Sequence, residues 1–336
     1  MHRARPLFLG LILLGACAHA APPCPRGLGL DHRGGEVECG LPGFDDRAYL
    51  VHLPPRPSAE APLPVVIAIH GGAGNKESMQ RLSCPGGVVG GPGCLDAAAD
   101  RAGFAVVYPD GTSSALIRKI RTWNAGGGVG ELRCVSGRAC ETGVDDVRYF
   151  SALLEELERV LPVDPARIYA IGMSNGAAMA HRLACALSPK ISGIVAVGGA
   201  NQVAFAQGCT PARPVPILQI HGEEDPCWEF EGGNGACLAG DDKRHVGVQD
   251  SMRRWAALNH CAGGPVGEAL PDLAPEDGTR VFRARWTGCE APVELLRIAG
   301  GGHTWPRGWA YFGEARVGRV SQDLDANAAI WAFLSQ

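Results

Sequence analysis

The sequence lacks several features that would point to common functional classes. It has no Cys-x-x-Cys pair and no histidine cluster at ligand spacing, which argues against a zinc site. Its net charge of -4 gives no reason to expect a nucleic-acid partner, because such proteins usually display a basic face. No internal repeat or long charge run is present, and a hydrophobic content of 46% is ample for a core. These absences favour a globular protein that binds neither zinc nor nucleic acid.

The first 20 residues have the pattern of an export signal. A basic start precedes the apolar stretch 7–16, which is too short to span a membrane as a permanent helix. A lipobox-like sequence ends at Cys17, and its processing would leave that cysteine lipidated as a lipid anchor. Cleavage after Ala20 is the alternative. We interpret residues 1–20 as a signal peptide and expect a protein that is either secreted or anchored outside the cytoplasm.

The cysteine count agrees with export. The chain has 13 cysteines, and Cys17 borders the signal segment. The remaining twelve form an even set that is compatible with six disulfides in an oxidising compartment. Many of them lie in Gly/Pro-rich loops, which predicts loops stapled by disulfides rather than buried free thiols.

Buried strands and helices alternate along the rest of the chain. Continuous apolar runs are typical of strands buried on both faces, and apolar residues at a spacing of three to four predict helices. The predicted strands are 47–53, 64–70, 104–108, 167–173, 193–197, 215–220 and 293–298. The predicted helices are 95–102, 145–160, the run after residue 174, 246–259 and 323–334. This order predicts an α/β fold with a mostly parallel sheet and helices on both faces. No low-complexity linker divides residues 21–336, so we expect one domain.

A Gly-x-Ser-x-Gly motif lies at residues 172–176, between an apolar strand and a helix-forming run. A sharp turn there would expose the hydroxyl of Ser174, and a Cβ on Gly172 or Gly176 would collide with neighbouring elements. At a helix N-terminus, backbone N–H groups point at a developing oxyanion. Ser174 is therefore the candidate nucleophile.

A serine nucleophile needs a base, and the base needs a carboxylate to orient it. With this motif the carboxylate follows the serine along the chain, just past a strand. After the strand 215–220 the chain reads His-Gly-Glu-Glu-Asp-Pro. Asp225 is the candidate acid because Pro226 holds it in a tight turn, and Glu223 and Glu224 are the alternatives.

The base is expected after the last strand. His303 follows three glycines there, which let the loop fold back towards Ser174. His221, His245 and His260 also follow the serine. The first of them directly ends a strand, and the other two flank or lie on a helix. His303 is therefore the candidate base.

A glycine-rich segment, His70-Gly71-Gly72-Ala73-Gly74, follows the buried strand 64–70. It resembles an HGGG-type loop, whose backbone N–H groups complete an oxyanion hole. The candidate donors are the N–H groups of Gly72 and Asn175. His70 is expected to anchor the loop by a hydrogen bond rather than to act in catalysis.

Several stretches are typical of one family. They are 106–111 (Val-Val-Tyr-Pro-Asp-Gly), 122–124 (Thr-Trp-Asn), 143–147, 167–176, 221–226 and 301–306 (Gly-Gly-His-Thr-Trp-Pro). Together they resemble the secreted polyhydroxybutyrate depolymerase, feruloyl esterase and acetylxylan esterase group of the α/β-hydrolases. The resemblance extends over about residues 47–335.

The resemblance implies the α/β-hydrolase fold and hydrolysis of polymer-linked or aromatic acyl esters, with no metal and no cofactor. The expected partner is an ester substrate, either on a plant cell-wall polysaccharide or in a polyester. Disulfides Cys185–Cys209 and Cys261–Cys289 are also implied. The chain departs from the family pattern at two places where substrate is expected to enter. Arg307 replaces a glycine of that pattern, and the insert 124–142 is long and carries its own cysteines.

Three tryptophans are candidate substrate-binding residues: Trp123, Trp228 and Trp305. Their rings could stack on an aromatic acyl group or a sugar, and ordinary packing is the alternative. The alternative function is a non-catalytic binding protein or surface lipoprotein on a hydrolase scaffold. The intact nucleophile, acid, base and glycine loop argue against it.

Overall fold

The structure of the chain is a computed structural model that describes residues 21–28, 34–55, 61–113, 117–132, 134–235 and 243–336. The predicted signal segment 1–20, with Cys17, lies outside the described residues. Within these ranges, none of the helices has the length and apolar character needed to cross a membrane.

A ten-stranded sheet organises the fold, with strand order β1-β2-β4-β3-β7-β8-β9-β14-β13-β12. The strands are β1 (Gly35–Gly40), β2 (Ala48–Leu53), β3 (Leu63–Ile69), β4 (Ala105–Pro109), β5 (Thr112–Ser113), β6 (Arg121–Thr122), β7 (Val163–Met173), β8 (Gly193–Val197), β9 (Ile217–Gly222), β10 (Gly233–Gly235), β11 (Lys243–His245), β12 (Gly263–Ala269), β13 (Arg280–Thr287) and β14 (Val293–Ala299). The six strands from β4 to β14 pair in parallel, and antiparallel strands flank them on both sides. The predicted mostly parallel sheet is confirmed.

Helices cover both faces of this sheet. They are α1 (Lys76–Leu82), α2 (Leu95–Ala102), α3 (Asp146–Val160), α4 (Asn175–Ala186), α5 (Gln202–Ala206), α6 (Val248–Leu258), α7 (Glu314–Val317) and α8 (Ala326–Leu334). Residues of α3, α4 and α6 share one hydrophobic cluster, and residues of α1, α2 and α8 share a second. Val65, Ile67 and Ile69 of β3 belong to the first cluster, whereas Val66 and Ala68 belong to the second. This alternation places the two clusters on opposite faces of the sheet.

Two of the elements that the sequence did not predict show why they were missed. The segment after Gly74 was expected to be a loop, but it forms α1. Asn75 accepts a hydrogen bond from the N–H of Ser78 at 2.9 Å, and the Ser78 hydroxyl accepts one from the N–H of Asn75 at 2.7 Å, so a capping box starts the helix. The hairpin of β12 and β13 was also missed, because most residues of β12 are exposed and carry no apolar alternation.

Disulfides close the loops between these elements. Among the described residues the bonds are Cys24–Cys39, Cys84–Cys94, Cys134–Cys140, Cys185–Cys209 and Cys261–Cys289. The two pairings implied by the family resemblance, at Cys185 and Cys261, are confirmed. The bond Cys134–Cys140 closes a loop of six residues inside the long insert.

Two histidines are buried in the core as neutral rings. Burial lowers the pKa of His70 and of His181 to about 4. The unfolded chain takes up these protons near the ordinary histidine pKa of about 6.5, whereas the folded protein takes them up only near pH 4. Between these values the unfolded state binds more protons, so stability must fall as the pH falls.

We expect the free energy of unfolding to decrease between pH 6.5 and pH 4.5, by up to about 1.4 kcal/mol per pH unit for each of these histidines. Urea unfolding at several pH values measures the slope. His181→Gln should reduce the slope of unfolding free energy against pH by the contribution of one histidine. The matched control His260→Gln, at an exposed histidine, should leave the slope unchanged. Equal slopes for wild type and His181→Gln would contradict the assignment.

Candidate active site

Ser174 makes the turn between β7 and α4 by itself. The strand ends at Met173 and the helix begins at Asn175. Ser174 has φ 57° and ψ -119°, a backbone conformation that residues with a side chain rarely adopt. Its N–H donates to the carbonyl oxygen of Val197 at 2.8 Å, and its own carbonyl accepts from Ala178 at 3.0 Å. These bonds hold the residue in the strained turn with its side chain partly exposed.

The motif glycines have no room for a side chain. A Cβ on Gly172 would lie 2.3 Å from the carbonyl oxygen of Gly176. A Cβ on Gly176 would lie 2.1 Å from the carbonyl oxygen of Ile69, on the neighbouring β3. Both contacts are to backbone and cannot be relieved by rotating a side chain. The sequence prediction of a tightly packed turn is confirmed.

His303 and Asp225 are joined by a short hydrogen bond. The distance from His303 Nδ1 to Asp225 Oδ2 is 2.7 Å, and both side chains are buried. The other carboxylate oxygen, Oδ1, accepts from the N–H groups of Cys227 and Trp228, each at 2.8 Å. An ionised carboxylate can only accept, so His303 donates from Nδ1 and keeps Nε2 available as a base.

The carboxyl group of Asp225 stays ionised in this setting. Burial by itself raises its pKa, but the imidazole of His303, the nearby His221 and the N–H of Trp228 lower it, and the net pKa lies below the usual aspartate value. A charged carboxylate is the form that can orient an imidazole and stabilise its protonated state.

The other candidate acids and bases point elsewhere. Glu223 pairs with Arg297, and the exposed Glu224 lies 3.5 Å from Arg319. The exposed His260 lies 3.0 Å from Glu290. His245 stacks on the indole of Trp228, with 4.4 Å between ring centres. His221 lies behind Asp225, where its Nε2 is 3.4 Å from Oδ2 of that carboxylate.

The loop after β8 brings the serine and the histidine to the same place. A Cβ on Gly199 would lie 2.4 Å from the carbonyl oxygen of Ser174, and a Cβ on Gly198 would lie 3.2 Å from Nδ1 of His303. In the part of the chain that the structure describes, no hydrogen bond joins Oγ of Ser174 to His303. Catalytic hydrogen bonds often tighten only when substrate binds. The pair Gly198-Gly199 was not identified from the sequence, although two glycines directly after a buried strand are a readable signal.

His70 braces the glycine loop. Its Nε2 accepts from the N–H of Gly111 at 3.0 Å, and its Nδ1 therefore carries the proton and donates to the carbonyl oxygen of Gly71 at 2.7 Å. Both ring nitrogens are used within the fold, which agrees with the structural role predicted for His70.

Two backbone donors lie beside Ser174. A Cβ on Gly71 would be 3.4 Å from the Cβ of Ser174, so this loop passes next to the serine. Neither the N–H of Gly72 nor that of Asn175 donates to an acceptor among the described residues. The side chain of Asn175 has a separate role, because its Oδ1 accepts from the N–H of Trp123 at 2.8 Å and its Nδ2 donates to the carbonyl oxygen of Trp123 at 3.1 Å.

The three candidate tryptophans are buried. Trp123 and Trp228 are 1% exposed, and Trp305 is 0% exposed. Their indole N–H groups donate to the carbonyl oxygens of His70 and Val246 and to Oδ1 of Asn327. Rings without solvent access cannot meet a ligand face, so this placement argues against the predicted stacking on substrate. The packing alternative describes them better.

An aromatic segment that the sequence analysis missed follows the histidine. The Tyr311 hydroxyl donates to the carbonyl oxygen of His303 at 2.9 Å. The ring of Phe312 lies 5.1 Å from that of Tyr311 and is 45% exposed. Trp309 lies 6.4 Å from Tyr311 on the other side and is only half-buried. The run Trp-x-Tyr-Phe, six residues after His303, could have indicated this exposed aromatic face.

One group of side chains has metal-ligand proximity in the described ranges. Asp225, Cys227 and His303 place a carboxylate oxygen, a sulfur and an imidazole nitrogen within 4.8 Å of one another. Cys227 is disulfide-bonded, so its sulfur is not a thiolate. The other two side chains already bond each other. The group does not fit a metal ion.

The comparisons with known proteins agree with this geometry. Residues 139–236 match the family described as phospholipase/carboxylesterase. Over 300 residues the chain is 30% identical to a protein of Nocardia uniformis subsp. tsuyamanensis named "Putative esterase NocK", and the match covers 86% of this chain and 79% of that protein. The chain belongs to the phospholipase/carboxylesterase family of α/β-hydrolases. It is an esterase by this membership.

Further relatives of this esterase are named feruloyl esterases. It is 28% identical to feruloyl esterase B of Piromyces equi over 60% of this chain, and it spans only 34% of that enzyme's length. It is 29% identical to feruloyl esterase C of Emericella nidulans over 50% of this chain and 53% of that enzyme. The structure of an acetyl xylan esterase from Aspergillus awamori superposes with a TM-score of 0.53 at 14% identity, covering 81% of this chain and 94% of that one. This likeness shows the fold.

The disulfide-closed insert of the esterase touches the glycine loop. A Cβ on Gly72 would lie 2.1 Å from Oγ and 2.6 Å from Cβ of Ser136. Ser136 lies between Cys134 and Cys140, and its carbonyl oxygen accepts from the Thr122 hydroxyl at 3.0 Å. The insert therefore forms one wall of the site.

We expect Gly72→Ala to destabilise the esterase by roughly 1–3 kcal/mol, the usual cost of overpacking, and to reduce its activity by displacing this wall. Ser136→Gly removes the Oγ and Cβ atoms that the added methyl group would meet. The double variant of Gly72→Ala and Ser136→Gly should therefore recover most of the lost stability and activity. Thermal unfolding and ester hydrolysis measure the cycle. Gly264→Ala is the matched control, because nothing lies within 4 Å of its added Cβ. Failure of the double variant to recover would show that the contact does not limit the site.

Proposed function

We propose that the protein is a secreted serine esterase that hydrolyses carboxylic esters through an acyl-enzyme, with Ser174, His303 and Asp225 as its catalytic triad. The observation that carries the proposal is the convergence of the strained Ser174 turn and the hydrogen-bonded pair of His303 and Asp225 on one loop, Gly198-Gly199. A serine at such a turn and an imidazole oriented by a buried carboxylate are the parts that acyl transfer requires.

Each residue has one task in the proposed reaction. Oγ of Ser174 attacks the ester carbonyl carbon while Nε2 of His303 takes the hydroxyl proton, and Asp225 stabilises the imidazolium. The N–H groups of Gly72 and Asn175 bind the oxyanion of the tetrahedral intermediate. His303 then gives the proton to the leaving alcohol. A water molecule repeats the sequence on the acyl-enzyme, with His303 as its base, and releases the acid and the free serine.

The proposed substrates are feruloyl or acetyl esters of plant cell-wall polysaccharide, with hydroxybutyrate polyester as the alternative. The names of the relatives support the first class. Phe312 is 45% exposed and follows Tyr311, whose hydroxyl binds the carbonyl oxygen of His303, so its ring offers an apolar surface for an aromatic acyl group.

Export is part of the same proposal. Five disulfides among the described residues support an oxidising compartment. We infer that residues 1–20 act as the signal peptide and that residues 21–336 form a single catalytic domain.

Wild-type protein should hydrolyse at least one of methyl ferulate, acetylated xylan and hydroxybutyrate oligomers, and the preferred ester identifies the substrate class. Ser174→Ala should lose this turnover and retain at most ~10³–10⁴-fold acceleration over the uncatalysed rate, since oxyanion stabilisation and binding remain. Hydrolysis rates and labelling by a fluorophosphonate measure the loss. Near-wild-type turnover by folded Ser174→Ala would refute the triad, and a folded wild type that neither turns over nor labels would favour a non-catalytic binding protein.

Asp225→Asn should reduce kcat by roughly 10⁴, because an amide leaves His303 in the wrong tautomer. Glu224→Gln is the matched control: it changes a neighbouring, exposed carboxylate that faces Arg319 and should leave kcat within about twofold of wild type. Steady-state kinetics on p-nitrophenyl acetate measure both. A larger loss for Glu224→Gln than for Asp225→Asn would mean that the wrong acid has been assigned.

A further inference from the structure

A line of buried polar side chains runs from the hydrophobic core to the far side of Asp225. Trp255 on α6, His181 on α4, and Gln219 and His221 on β9 are each at most 1% exposed. The distances along the line are 2.9 Å from Trp255 Nε1 to His181 Nδ1, 3.2 Å from His181 Nε2 to Gln219 Oε1, and 3.2 Å from Gln219 Nε2 to His221 Nδ1. Apart from Trp255, the side chains belong to the helix that follows Ser174 and to the strand that leads to Asp225.

The direction of every hydrogen bond in this line is determined. An indole N–H can only donate, so Nδ1 of His181 accepts and Nε2 of His181 carries the proton. Gln219 then accepts at Oε1. Its Nε2 donates to the carbonyl oxygen of Gly199 at 3.0 Å and to Nδ1 of His221. His221 consequently carries its proton on Nε2.

The Nε2–H of His221 faces the triad acid. It donates to the carbonyl oxygen of Trp228 at 2.8 Å and lies 3.4 Å from Oδ2 of Asp225. The same Oδ2 is 2.7 Å from Nδ1 of His303, so it accepts a hydrogen bond from one imidazole and lies close to a second. Burial lowers the pKa of His221, and the charge of Asp225 raises it by less. The net pKa is lowered, so this ring is neutral. Burial raises the pKa of Tyr311, and the nearby charge of Asp225 raises it further.

We propose that His221 is a positioning residue for ester hydrolysis: its Nε2–H binds the carbonyl oxygen of Trp228, whose N–H binds Oδ1 of Asp225, and it lies 3.4 Å from Oδ2, so that the carboxylate keeps the orientation that serves His303. The line from Trp255 through His181 and Gln219 fixes the tautomer that makes this donation possible. The proposal rests on the proposed function, because the orientation of Asp225 matters only if His303 is the base. No proton moves along the line during the reaction, and His221 touches no reacting atom.

A matched pair of variants separates the two ring nitrogens. The amide nitrogen of glutamine can occupy the position of Nε2 in histidine, whereas the shorter side chain of asparagine reaches only the position of Nδ1. His221→Gln keeps the donor towards Asp225, and His221→Asn keeps only the acceptor for Gln219. We expect kcat of His221→Gln on p-nitrophenyl acetate to stay within about threefold of wild type. In His221→Asn, kcat should fall about tenfold with KM within about twofold.

The pH profile provides a second readout. Without the Nε2–H donor, Asp225 holds the protonated form of His303 more strongly, so the acid limb of kcat/KM in His221→Asn should move to higher pH. Rates are expressed per active site, counted by fluorophosphonate titration, so that misfolded protein does not contribute. Trp255→Phe, on α6, is a second variant in case the asparagine variant does not fold. It removes the indole donor that fixes the tautomer of His181. We expect it to lower kcat about threefold with KM unchanged.

The outcomes distinguish this proposal from the triad itself. Wild-type kcat and an unmoved acid limb in His221→Asn would overturn the positioning role, as would equal losses in the glutamine and asparagine variants. If the asparagine variant does not fold, an unchanged kcat in Trp255→Phe overturns it. If Ser174→Ala is inactive while the His221 variants are fully active, the proposed triad stands and only the role proposed for His221 is refuted. An active Ser174→Ala would refute the proposed function first.

Discussion

The strained backbone of Ser174 is the constraint on which the site depends. A residue with φ 57° and ψ -119° persists only if its surroundings hold it there. Here the N–H of Ser174 is bound by Val197 of the adjacent strand, and the close approach of β3, β7 and α4 leaves no volume for a Cβ on Gly172 or Gly176. The packing of the parallel sheet is therefore what keeps Ser174 out of a relaxed conformation.

The same sheet sets the positions of the remaining groups. Parallel strands end at one edge, and the loops after β3, β8, β9 and β14 carry respectively the glycine loop, Gly198-Gly199, Asp225 and His303. None of these loops needs to be long to reach Ser174, because β9 and β14 are hydrogen-bonded neighbours. The short bond between Asp225 and His303 follows from that adjacency.

Much of this arrangement could be predicted from the sequence, for reasons that individual elements make clear. The strands near residues 67 and 195 are apolar on both faces, and the glycines around Ser174 signal the turn that was found. The line from Trp255 to His221 could not be read in advance, because two of its three contacts join residues 74 and 38 positions apart, and tertiary packing sets such partners. For Trp123 the sequence leaves two roles open for a related reason: an indole suits a ligand site and a core equally well, and its burial in the fold favours packing.

Orientation of the acid and selection of the substrate are carried by separate parts of the molecule. The line behind Asp225 lies in the core and joins side chains of α4, β9 and α6, so a change there reaches Asp225 from inside the fold. The surface segments near the two groups are different ones: the disulfide-closed insert contacts the glycine loop at Ser136, and Tyr311 binds the carbonyl oxygen of His303. Substitutions in these surface segments can change ester preference while the buried acid keeps its bonds.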